Sequence, residues 1–98
     1  MKVNINSVHF KTDTKLEIFI SEKLKKLSNV YNNLLGSEVT LKLANVDTPN
    51  NKIIEIRLLV KGSDLFAKKQ SKSFEEATDN AVDALKKQLI KHKEKFKK

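Results

Sequence analysis

Hydrophobic and polar positions change their period several times along the chain. Val3 and Ile5 alternate with Lys2, Asn4 and Asn6, the two-residue period of a short strand with one buried face. Leu16, Phe19, Ile20, Leu24, Leu27, Val30, Tyr31 and Leu34 then recur at spacings of three and four, which predicts a helix of about twenty residues. Asp13 and Thr14 offer its cap, Thr14 and Glu17 having the spacing of a capping box. Asn32, Asn33, Gly36 and Ser37 supply its stop signals, because glycine and asparagine accept the left-handed conformation that ends a helix.

Alternation returns at Val39, Leu41 and Leu43, with Lys42 on the polar face, and again at Ile54, Ile56, Leu58 and Val60, with Glu55 and Arg57 outward. A loop at Asp47, Thr48, Pro49, Asn50 and Asn51 separates these two strands. Lys61, Gly62, Ser63 and Asp64 form a hairpin turn into a more polar fourth strand begun by Leu65 and Ala67. The lysines of that strand region, Lys68, Lys69 and Lys72, protect an exposed sheet edge. Ser73 and Glu76 make a second capping box, after which Phe74, Ala77, Ala81, Leu85, Leu89 and Phe96 trace one helix face. At about 100° per residue, Lys87, Lys91, Lys95 and Lys98 fall on one side of that face and Lys86, Lys93 and Lys97 on the other.

The predicted order is β-α-β-β-β-α. Two amphipathic helices need one sheet face between them, so the expected fold class is α+β: a two-layer sandwich with a four-stranded mixed sheet and both helices packed on one face. A right-handed crossover makes the first two strands parallel and leaves the other neighbours antiparallel. In outline this resembles a double-stranded-RNA-binding domain. With 98 residues and 39% apolar content, the chain is expected to form a single domain over 1–98.

Charge sharpens the picture. There are 20 basic residues against 12 acidic ones, a net +8, and Arg57 is the lone arginine among them. Lysine presents flexible point charges suited to phosphate rather than to base edges. Ser73 to Leu85 holds four acids and no base, whereas Lys86 to Lys98 holds seven lysines and only Glu94. Acids near a helix start and bases near its end complement the helix dipole, but seven lysines exceed what a dipole requires, and the excess favours a polyanion-binding surface. Zero cysteines exclude disulfides and thiol chemistry. No stretch is apolar for long enough to span a bilayer, and Met1 to Phe10 lacks a secretory signal pattern, so the expectation is a cytoplasmic protein with no membrane role. His9 and His92 have no convincing metal-binding company, the two glycines make no phosphate loop, and the carboxylates are dispersed. A non-enzyme without cofactor is expected. Tyr31 and the phenylalanines fall mostly at core spacings, which assigns them to packing rather than to base stacking.

The run from Ala81 to Lys95, with its Gln88-Leu89-x-Lys91-His92-Lys93 core, resembles the carboxy-terminal helix of bacterial ribosome hibernation promoting factors and the related ribosome-associated inhibitor Y. The likeness continues in Lys23-Leu24-x-Lys26-Leu27, Leu41-Lys42 and Val3-Asn4-Ile5, and it covers essentially the whole chain. The resemblance implies a protein, monomeric off the ribosome, whose partners are the small ribosomal subunit and its rRNA. It would bind in the decoding channel, compete there with mRNA and tRNA, and inhibit translation during stationary phase or stress. It also implies rRNA-contacting roles for Lys23, Lys26, Lys42, Lys86, Lys87 and Lys91. Ala84 stands where many members carry lysine, and Lys86 or Lys68 is the expected substitute. Phe74 replaces a common tyrosine. A general structured-RNA-binding module is the alternative, and equal affinity for any duplex would distinguish it.

Overall fold

The computed structural model of the chain describes residues 1–95. Phe96, Lys97 and Lys98, assigned above to the apolar and basic stripes, lie outside the described residues. The main elements follow the expected kinds and order: β1 (Lys2–Ser7), α1 (Thr14–Lys25), β2 (Leu34–Leu43), β3 (Lys52–Val60), β4 (Ser63–Ser71) and α2 (Phe74–Lys95). The sheet order is β1-β2-β3-β4, with β1 parallel to β2 and the other pairs antiparallel.

Both helices cover one face of this sheet. Leu16, Ile20 and Leu24 of α1, and Ala77, Ala81, Leu85 and Leu89 of α2, bury against Val39, Leu41, Ile54, Ile56, Leu58 and Val60. Each buried Leu, Ile or Val side chain contributes about 1.5–3 kcal/mol relative to exposure, and this shared burial holds the helices in place. Three matched contacts show that the helices run in the same direction: Phe10 stacks on Phe74 at 5.4 Å, Lys23 pairs with Asp79 at 3.1 Å, and Tyr31 meets His92 edge-on at 5.5 Å.

Helix starts are decided by local chemistry. Asp13 caps α1, its carboxylate accepting from the Leu16 N–H at 2.7 Å, while Glu17 accepts from Thr12 rather than closing a box with Thr14. Ser73 caps α2 by accepting from the Glu76 N–H at 3.1 Å. The end of α1 departs from expectation. The α-helix stops at Lys25, tightens into a 3-10 turn over Lys26–Asn29, and leaves Leu34 to open β2. Leu34 pairs with Val60, and an irregularity in register lets Gly36 pair with Leu59. Gly36 is therefore no helix stop. It lies between β1 and β3, where an added Cβ would come within 3.2 Å of the Lys2 carbonyl oxygen. Gly62, at φ 79°, supplies the left-handed residue of the β3–β4 turn. At the far end of β2, Leu43 is exposed despite its alternating spacing.

Candidate nucleic-acid interface

The geometry of α2 sorts its lysines by side. Its apolar face lies on the sheet, one flank borders α1 and the other borders β4. On the α1 side, Lys86 lines a cleft of about 310 Å³ with Lys23, Lys26 and Val30. Asp79 and Asp83 also line it, and Asp79 already holds Lys23. On the β4 side, Lys87 lines a second hollow with Lys69, Asn80, Asp83 and Ala84. Lys91, one turn beyond Lys87, is exposed on the same flank.

Four of the expected contact residues, Lys23, Lys26, Lys86 and Lys87, thus gather around the middle of α2, and Lys91 extends the set toward its end. Lys26, Lys86, Lys87 and Lys91 have no carboxylate within 4.0 Å among the described residues, so their charges are available to a ligand.

Lys42 is not brought to this group. Strand alternation turns it to the sheet face away from the helices, where it pairs with Glu55 at 3.1 Å. Lys68 lies on that same outer face, 3.8 Å from the same carboxylate. It therefore cannot stand in for a lysine at Ala84, and Lys86 faces the opposite flank of α2. The lysine that shares a hollow with Ala84 is Lys69, read from the sequence only as an edge guard. Its signal was the parity of β4: Lys69 keeps step with Leu65 and Ala67, on the helix side.

Two other residues have structural roles that their sequence context hid. The Gln88 side chain donates to the Phe66 carbonyl at 2.8 Å, clipping α2 to the sheet edge. His92 is buried against Tyr31 between α2 and the segment leaving α1. No group of three or more His, Cys, Asp or Glu with metal-holding geometry occurs among the described residues, and none of their helices is long and apolar enough to cross a membrane.

Fold and surface together define a small α+β module whose helical layer carries clustered ammonium groups, most of them with no carboxylate within 4.0 Å among the described residues. By sequence, the chain belongs to the Sigma 54 modulation protein / S30EA ribosomal protein family, whose model matches residues 3–97. It is similar to the ribosome hibernation promoting factor of Klebsiella oxytoca, 27% identical over 97 residues and covering 99% of this chain and 98% of that protein. The Pseudomonas putida protein of the same name is 27% identical over 95 residues, with 97% and 89% of the two chains covered. The fold matches a ribosomal subunit interface protein from Coxiella burnetii with a TM-score of 0.84 at 17% identity, covering 95% of this chain and 98% of the other. It also matches the Protein Y N-terminal domain of Thermus thermophilus with a TM-score of 0.82 at 20% identity, covering 94% and 99%.

Proposed function

We propose that this chain is a ribosome hibernation factor that binds small-subunit ribosomal RNA in the decoding channel. There it takes the space of mRNA and tRNA, inhibits translation, and keeps idle ribosomes intact in stationary phase or stress. The observation that carries the reading is the pair of lysine clusters straddling α2, Lys23, Lys26 and Lys86 on one flank and Lys69 and Lys87 on the other, in a chain of this family. A rigid helix with cations on both flanks matches a cleft whose walls are phosphate backbones on two sides. Binding there releases condensed counterions and gains affinity without reading base sequence. The protein works by occupancy, as one ribosome-binding domain in the cytoplasm, monomeric when free and with no cofactor.

The test is association with purified small subunits. Lys87→Glu combined with Lys91→Glu is expected to abolish co-sedimentation while the circular dichroism spectrum and melting temperature stay essentially unchanged, since both side chains are exposed. Retained association removes these residues from the interface. Equal retention of an unrelated RNA duplex at the same moderately high salt would replace the reading with a general structured-RNA binder. A density map of the occupied ribosome with the protein outside the decoding channel would overturn its placement.

A further inference from the structure

Among the described residues, no layer covers the sheet face away from the helices. Its outward side chains form a grid whose rows follow from the register. Asn4, Glu38, Arg57 and Phe66 make one row across the four strands, and Asn6, Thr40, Glu55 and Lys68 make the next. Phe66 is half exposed at 50%, an aromatic ring displayed beside the guanidinium of Arg57. Phe66 is an exception to the packing expected of most of the phenylalanines: Phe74 is buried, while Phe66 faces solvent. Phe66, Arg57, Glu38, Thr40 and Glu55 line a shallow hollow of about 190 Å³.

The charges here differ from those of the helical layer. Outward positions of the sheet hold four cations, Lys2, Lys42, Arg57 and Lys68, against three carboxylates, Glu38, Glu55 and Asp64, so little of the net +8 resides on this face. Glu55 is engaged by Lys42 and Lys68, whereas Glu38 approaches Arg57 only to 3.8 Å and is about half exposed. A phosphate seated in the hollow would meet both carboxylates. A protein partner would need a broad contiguous apolar centre, whereas Phe66 has only Leu59 diagonally beside it, in the row of Gly36 and Asp64, and the ionic row of Glu55 and Lys68 separates it from Ile53. A planar, neutral ligand with hydrogen-bonding edges meets neither obstacle.

We infer that the hollow around Phe66 binds an unpaired nucleobase, with guanine preferred: the base stacks against Phe66, Glu38 accepts from its N1–H and N2–H, and Arg57 donates to its acceptor edge. Lys42 and Lys68, at the border of the hollow, face the flanking phosphates of the strand. The bond from Gln88 to the Phe66 carbonyl fixes β4 at the position that presents the ring. Stacking of this kind is sequence-tolerant, and the carboxylate adds the preference. The inference extends the proposed function to a second RNA contact on the opposite face, and it does not depend on where the protein sits on a ribosome.

The experiment titrates the 15N-labelled full chain with three pentaribonucleotides: uridines flanking a central guanine, an all-uridine strand, and uridines flanking an abasic site. Amide shifts centred on Arg57, Phe66 and Thr40 are expected with the guanine strand, weaker ones with all-uridine, and none there with the abasic strand. Phe66→Leu, which keeps an apolar side chain but removes the ring, should weaken the guanine strand at least about fivefold, and Phe66→Tyr should retain binding. Equal binding of the abasic strand, shifts confined to α1 and α2, or unaltered binding by Phe66→Leu would each overturn the inference. Ribosome association of the Lys87→Glu, Lys91→Glu protein is a separate readout: its retention defeats the placement of the helical interface and leaves the base site standing.

Discussion

The Ser37 hydroxyl is buried with no hydrogen-bond partner among the described residues, its side chain facing the core between Val3 of β1 and Leu58 of β3. A buried, unpaired hydroxyl carries its desolvation cost uncompensated. Ser37→Ala is therefore expected to stabilise the fold by roughly 1 kcal/mol, a rise in melting temperature of about 4 °C for a chain of this size. A thermal melt followed by circular dichroism measures it, and a drop in melting temperature would mean that the hydroxyl is satisfied in solution. Gly36 shows the opposite constraint one position earlier. There an added Cβ would crowd the Lys2 carbonyl oxygen at 3.2 Å, a proximity that no local pattern announces.

Among the elements, α1 and α2 differ in how their ends are set. Both begin at side-chain caps, Asp13 and Ser73; the spacing of Ser73 and Glu76 reveals the second, whereas at α1 it points equally to Thr14 and Glu17 and the structure selects Asp13. The end of α1 instead reflects competition: Leu34 continues the helical spacing, yet its pairing with Val60 gains a strand position beside the core. The lysines at the close of both helices, among them Lys23, Lys25 and Lys26, also complement helix dipoles that point the same way. At the β4 edge the element-level device is Gln88. Gln88→Ala is expected to cost about 1 kcal/mol and to speed hydrogen exchange along β4, without altering the caps of α2. Unchanged exchange in β4 would show that burial of Leu85 and Leu89 holds that edge by itself.

For the molecule as a whole, the two layers separate two kinds of surface. The helical layer concentrates lysines, of which Lys23 alone is in an ion pair among the described residues, while the open sheet face balances acids against bases and displays Phe66. Association through the helical layer should weaken steeply with salt, because each neutralised phosphate releases counterions. Lys86→Ala combined with Lys87→Ala is expected to reduce the slope of log affinity against log salt by about two, one for each phosphate that is no longer neutralised. Measuring small-subunit binding at several salt concentrations tests this, and an unchanged slope would place both side chains outside the interface. Phe66→Leu should leave that slope unaltered, since stacking releases no counterions.

What the chain determined by itself was the kind and order of its elements, the cap of α2 and nearly all of the core. These depend on interactions between neighbours in sequence, such as the period of Ile54, Ile56 and Leu58 or the reach of Ser73 to the Glu76 N–H. The lysines of α2 were legible for the same reason, since one helix sets their spacing. The parity of β4 turns Lys69 rather than Lys68 to the helix side, and tertiary structure alone decided that Lys69 joins Lys87 beside Ala84. It also separated Lys42 from the helix lysines, assigned Leu34 and Gly36 to a strand, and set Phe66 beside Arg57 on an open face. Those outcomes depend on strand register and on which sheet face the helices cover, and both are fixed by packing between segments far apart in the chain.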